Sequence, residues 1–472
     1  MKNDRFTDFD DEVRHLVLDF EKTVMNGENQ FYDVDELEMI IDYYLEVLDK
    51  EPLLTAIVYA EQLYPESTEI KIRRAHWYIA NQEFDRALEI LLRLEEQEPD
   101  NTDIAYSLGV LYGEKEQSEK AIDYFLQAST DGWQLGRIYA NIAEEYYKLN
   151  NFHEAIQYYM KAFGTDSYDV QTFYNYLDTC QQAGLSDEAA EFFKLYVESH
   201  PYGKEGWYCL GCAYRDMGMM DRAIDAVEYA IAIDKNYTVA YLELSRIQEE
   251  SGDSGEAATT LMRLLDVAGD RAEVYRALGD LFVRQENFET AMLYYKKAVV
   301  ENESDAYALA GLAMCCMHLG DLSMALSYVK KALAADAENP DALCCAAMVY
   351  DSRNNVEMAN DYFDRCIVSP QCTEVHCRYY TIFLFNREQY DTLIEFAEES
   401  LELYPHDIFY STYLAAACFF TNRYNKLSHA LPDVHPVMLR EMCPAIWENP
   451  RLAPLLPEMK SDDYFQTPDN NE

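Results

Sequence analysis

The sequence predicts an all-α chain built as a stack of helix pairs. Gly and Pro are scarce, at 17 and 14 of 472 residues, and 49% of residues are hydrophobic. That composition favours helices over strands and turns. Alanine recurs every 34 residues, at Ala87, Ala121, Ala155, Ala189, Ala223, Ala257, Ala291, Ala325 and Ala359, without one insertion or deletion. Each 34-residue window holds two apolar runs of helical period, separated by a short turn such as ANQEF or MGMMD.

From the N-terminus, DDEVRHLVLDFEKTVM (residues 10–25) reads as an amphipathic helix stopped by Asn26-Gly27. Residues 1–33 are therefore expected to cap an array that spans 34–441, or twelve windows. Leu53, Leu393 and Leu427 extend the alanine phase at the ends, where irregular packing is expected. A second small-residue column, twelve positions earlier, holds Ala75, Gly109, Ala143, Gly211, Ser245, Gly279, Ala313 and Ala347, with Leu177 its one bulky interruption. Antiparallel helices approach closely only where small residues sit at the crossing, and these two columns supply them. An aromatic column three residues further on (Tyr78, Tyr112, Tyr146, Tyr214, Phe282, Tyr350) fills the gap between neighbours. Pro65, Pro99, Pro201 and Pro405 share one slot after the second helix, where proline stops a helix harmlessly. A single hairpin cannot bury its own apolar faces, so stacking is required for a core. Residues 435–472 have lost the period, and 442–472 are expected to form a C-terminal cap and a polar tail, SDDYFQTPDNNE.

The stretch GWYCLGCAY contains Trp207, Leu210, Gly211 and Tyr214, followed by Ala223 and Ala230. The W-x-x-L-G-x-x-Y pattern and the 34-residue period resemble the tetratricopeptide repeat family, best in windows 102–135, 204–237 and 272–305. The resemblance implies a right-handed superhelical solenoid whose first helices line a concave groove through repeat positions 2, 5, 9, 12 and 13. It also implies a binding role. Cys209 and Cys212, the chain's one C-x-x-C, are explained by their place in a repeat helix, with no second pair to complete a zinc site.

The formal net charge of −48 argues against nucleic acid and anionic membrane as partners. No stretch approaches the length of a membrane span. MKNDRFTDFDDEVRH has acids where a secretory signal needs a basic start. A cytoplasmic chain with reduced cysteines is expected. No Walker-type, H-E-x-x-H or G-x-S-x-G motif is present, and neither terminal piece is long enough for a catalytic domain. Cys366, Cys372, His376 and Cys377 span one inter-repeat loop. Four soft ligands can hold zinc. Cys366, however, takes a slot normally filled by Ala, and Cys377 an inward position. They are read as packing residues, and no metal or cofactor is expected.

Carried onto this chain, the groove positions change character along its length. The first part shows Asp35, Glu38, Asp42, Glu69 and Asp103; the middle shows Arg215, Arg246, Arg276 and Arg284. The last part is apolar, with Tyr307, Met314, Met317, Met348, Val375, Ile382, Phe385, Phe409 and Phe419. Arginine suits bidentate capture of carboxylate. The expected partner is thus a protein or peptide with acidic and apolar residues, either another chain's segment or this chain's own C-terminus. No repeat pairs Lys with Asn at positions 5 and 9, so the carboxylate clamp of the chaperone-binding members is not expected. The predicted function is a non-enzymatic interaction scaffold. The alternatives are a co-chaperone-like holder of apolar segments and a regulatory subunit of an enzyme complex.

Overall fold

The computed structural model describes residues 11–26, 30–47, 50–130, 132, 134–165, 168–448, 452 and 456. The polar tail and most of the proline-punctuated stretch before it lie outside the described residues. Among the described residues the secondary structure is helical, with no strand, and no helix is long and apolar enough to cross a membrane. The chain divides into two compact units, residues 1–234 and 235–472.

In the first unit the first helices of successive repeats are Val34–Glu46, Thr68–Ala80, Thr102–Glu114, Leu135–Lys148, Gln171–Gln182 and Lys204–Asp216. Their second helices are Lys50–Leu63, Phe84–Gln97, Ser118–Ala128, Phe152–Phe163, Ser186–Ser199 and Met220–Ile233. In the second unit the first helices are Thr238–Glu250, Arg271–Arg284, Ala306–His318, Pro340–Ser352, Glu374–Asn386 and Ile408–Phe420. Ser254–Leu264, Phe288–Glu301, Leu322–Ala335, Val356–Ile367, Tyr390–Leu403 and Tyr424–Ala430 follow as their partners.

The period is a packing rule. All nine phased alanines, Ala87 to Ala359, are 0% exposed. A Cβ added to Gly109 would stand 2.6 Å from the Phe125 ring, and one on Gly279 2.5 Å from Tyr295. One on Gly211 would meet Val227 Cγ2 at 2.4 Å and the Ala223 carbonyl at 3.2 Å. The aromatic column stacks on a ring twelve residues later: Tyr112 on Tyr124, Tyr146 on Tyr158, Phe282 on Tyr294 and Tyr350 on Tyr362, each with centroids 5.5 Å apart. A cation closes several stacks. Lys120 lies 5.0 Å from Tyr112, Lys161 3.7 Å from Tyr158 and Lys297 4.8 Å from Tyr294.

Two further 34-residue repeats lie in the backbone. From the second pair onward, the turn within each pair carries a left-handed residue, at Gln82, Glu116, Asn150, Gly184, Gly218, Gly252, Glu286, Gly320, Asn354, Glu388 and Asn422. One slot before the first helices, Asp33, Ser67, Asn101, Asp305, Asn339 and Asp407 accept hydrogen bonds from first-turn N–H groups. These hairpins are thus started and turned by local chemistry, and completed by burial.

Helix Asp11–Asn26 buries Val17 and Phe20 in a cluster with Ile40, Ile41 and Tyr44. At the other end Leu431, Leu439 and Ile446 are fully buried in the last core of the second unit. The backbone N–H of His435 donates to Thr412 Oγ1 at 2.8 Å. Thr412 occupies groove position 5 of the last window, so the end of that window reaches the inner side of helix Ile408–Phe420.

Candidate functional site

In the second unit a cavity of 510 Å³ opens between consecutive first helices. Helix Arg271–Arg284 contributes Glu273, Arg276, Asp280, Val283 and Arg284 to its wall. These are positions 2, 5, 9, 12 and 13 of window 272–305. The next repeat supplies Tyr307, Ala310 and Met314, and the one after it Asp341. Of the residues expected from sequence, Arg276, Arg284, Tyr307 and Met314 come together here.

The arginines are already engaged. Arg284 donates to both carboxylate oxygens of Glu249 at 2.7 Å. Arg276 pairs with Asp305 at 3.5 Å, and its guanidinium stands 5.6 Å from the Tyr307 ring. Arg246 pairs with Glu250 at 3.0 Å, and Arg215, in the first unit, with Asp216 at 2.7 Å. What the cavity presents besides them is carboxylate. Asp280 accepts a 2.6 Å hydrogen bond from the Tyr295 hydroxyl. Partial desolvation by the protein walls raises its pKa, against that bond and Arg284. Glu273 and Asp341 were not singled out from sequence, although both occupy groove position 2. The acidic background hid them, because the arginines stood out from it.

The apolar strip is half-covered. Met348, Ile382, Phe385, Phe409 and Phe419 are partly buried against the last core, and Met317 packs beside Cys316 and Val349. Phe409 lies 4.7 Å from the Tyr413 ring, under the Arg378 guanidinium at 5.1 Å. Tyr307 and Val375 are the more exposed members. The strip is therefore mostly the inner wall of the fold.

In the first unit, Asp35, Asp42, Glu69 and Asp103 are exposed. Arg73 bridges Glu38 at 3.2 Å and Asp42 at 2.8 Å. A second cavity, of 310 Å³, lies between the first helices of windows 102–135 and 136–169. Tyr106, Arg137, Asn141, Glu144, Glu145 and Lys148 are among the residues that line it.

Three of the four soft ligands in the sequence cluster come together. The sulfurs of Cys366 and Cys372 and a ring nitrogen of His376 all lie within 4.8 Å of one another. Cys372 Sγ is 3.9 Å from Cys377 Sγ. The C-x-x-C pair instead faces the core, with Cys209 fully buried and Cys212 nearly so.

Antiparallel helix pairs on a fixed step, crossing at small residues and exposing the inner faces of their first helices, define a helical-repeat protein. Family models described as tetratricopeptide repeat match residues 72–134 and 276–340, 214–281, and 136–169. The chain is a tetratricopeptide repeat protein. TPR repeat-containing protein YpiA of Bacillus subtilis (strain 168) is 23% identical over 303 residues, covering 57% of this chain and 71% of the relative. TPR repeat-containing protein MJ1428 of Methanocaldococcus jannaschii is 22% identical over 250 residues, covering 48% of this chain and 43% of the relative, less than half its length. Among solved structures, the APC/C hetero-tetramer Cut9-Hcn1 aligns over 86% of this chain and 93% of that one, with 13% identity and a TM-score of 0.38.

Proposed function

We propose that this chain is a cytoplasmic, non-enzymatic scaffold that holds a basic, partly apolar segment of a protein partner in the groove of its second unit. The cavity wall carries the reading. Glu273, Asp280 and Asp341, with Glu249 and Asp305 behind them, place five carboxylates against the two guanidinium groups of Arg276 and Arg284. An acidic partner, the expectation from sequence, would have to strip Glu249 or Asp305 from its arginine. A Lys- or Arg-bearing partner instead meets a wall with more carboxylates than guanidinium groups, while Tyr307, Val283 and Met314 offer it apolar contact. The net charge of −48 steers the same class of partner toward the chain. The half-burial of the Met and Phe strip favours this reading over a holder of long apolar segments.

Affinity capture with the intact chain and with a Glu273→Gln, Asp280→Asn double variant tests it. A partner enriched by the wild type and lost from the double variant supports it. Identical capture by both moves the interaction elsewhere on the chain.

A further inference from the structure

Nothing in the repeat pattern requires Cys366, Cys372 and His376 to meet. They come from three places: the last turn of helix Val356–Ile367, the loop after it, and the first turn of helix Glu374–Asn386. Their donor atoms nevertheless lie within 4.8 Å of one another. Tetrahedral zinc, with bonds of about 2.3 Å to sulfur and about 2.1 Å to nitrogen, sets its ligand atoms roughly 3.4–3.8 Å apart. A contraction of about 1 Å or less in the loop brings the set to that spacing. The 3.9 Å separation of Cys372 and Cys377 is already an edge of such a tetrahedron.

The imidazole is held in one tautomer. The backbone N–H of Thr373 donates to His376 Nδ1 at 3.0 Å, with the Thr373 hydroxyl 2.9 Å away, so Nδ1 carries a lone pair that closes the capping box of the helix. The proton then sits on Nε2, which donates to Asp341 Oδ1 at 2.9 Å. A carboxylate holding the far N–H of an imidazole is the outer-shell arrangement that orients metal-bound histidine and raises its basicity. His376 is 5% exposed and Cys366 fully buried, while Cys372 and Cys377 are half-buried. The cluster thus has a dry floor and an accessible mouth.

We propose that Cys366, Cys372 and His376 bind one zinc ion, with Cys377, whose sulfur stands outside that set, swinging in as the fourth donor, and that this ion fastens the loop between the repeats. Each coordinated thiol gives up its proton to solvent on binding, and Nδ1 exchanges the Thr373 hydrogen bond for the metal. The soft sulfur and imidazole donors select zinc over magnesium or calcium. The site stands apart from the partner reading, although Asp341 borders both.

The test is a titration of the full chain, stripped of metal and kept reduced, with Co²⁺ and then Zn²⁺. One equivalent of Co²⁺ should produce thiolate-to-cobalt absorption that Zn²⁺ displaces, with protons released and the melting temperature raised. Cys372→Ser, in the accessible loop, should lower affinity by more than about 100-fold, and Asp341→Asn by about 10- to 100-fold. Cys212→Ala, in the first unit, should leave binding unchanged. Failure of the reduced wild type to bind one equivalent overturns the proposal, as does equal binding by Cys372→Ser. So does a Cys372–Cys377 disulfide formed in air by a chain that, when reduced, takes up no metal.

Discussion

Arg284 donates through Nε and Nη2 to the two carboxylate oxygens of Glu249, both at 2.7 Å, and so ties one first helix to the first helix before it. The residues are 35 positions apart, one repeat and one residue. An arginine held this way braces the array and is poorly placed to capture a peptide carboxylate. A double-mutant cycle with Arg284→Ala and Glu249→Ala should give a coupling of about 0.5–1 kcal/mol in urea unfolding, shrinking as salt is added. The pair is half-exposed on the arginine side, which keeps the figure small. A coupling of zero would mean the brace is absent in solution.

Close helix crossings set a second expectation. Gly279→Ala puts a methyl group 2.5 Å from the Tyr295 ring, and Gly211→Ala puts one 3.2 Å from the Ala223 carbonyl. Ala223→Leu and Ala291→Leu overfill fully buried sites. Each should cost about 1–3 kcal/mol, read as a lower urea midpoint. Midpoints equal to the wild type would show that these residues are not at crossings.

The left-handed turn residues can be tuned in both directions. Gly252 adopts φ +86°, so Gly252→Ala should destabilise by about 1 kcal/mol. Glu286 adopts φ +57° with a side chain that resists it, so Glu286→Gly should be neutral or gain up to about 1 kcal/mol. Thermal unfolding of the two variants decides it; a stabilising Gly252→Ala together with a destabilising Glu286→Gly would show that the turn conformation is wrong.

His76 gives a pH signature. Burial, then the Arg73 charge, lowers its pKa from 6.5 to about 4. Its Nε2 lies 2.9 Å from Ser107 Oγ. The unfolded chain binds this proton near pH 6.5 and the folded chain only near 4. Stability linked to His76 is therefore complete above pH 6.5 and is lost as pH falls toward 4. Between those values wild type should lose up to about 3 kcal/mol that a His76→Gln variant does not lose. Parallel urea midpoints for the two chains across this range would contradict the assignment.

The fold was legible in the sequence because its packing rule is written in one residue type at a fixed step. Ala223 and Ala291 are visible as a column before any coordinates exist. The backbone repeats were harder to see. Glu116, Gly252 and Asn354 share a conformation and no side-chain chemistry, so no column of letters marks the turn. The caps Asp33, Ser67 and Asn339 share an accepting oxygen under three names. At the site, Arg276 and Arg284 line the cavity, but what they offer depends on Glu249 and Asp305, about 30 residues away in sequence. A single sequence lists those acids among 86 and does not say which ones reach the arginines. The cysteine cluster is visible in the sequence, but spacing alone does not show three donors converging from two helices and a loop.

The most direct test of the partner reading is selection from a displayed random-peptide library on the full chain, followed by calorimetric titration of the recovered peptides. Recovered sequences should be enriched in Lys and Arg beside Leu, Phe or Tyr. Their affinity should fall about tenfold or more with Asp280→Asn and be nearly unchanged with Arg284→Ala. Selection of acidic peptides whose binding is abolished by Arg284→Ala and indifferent to Asp280→Asn would contradict the proposed groove chemistry.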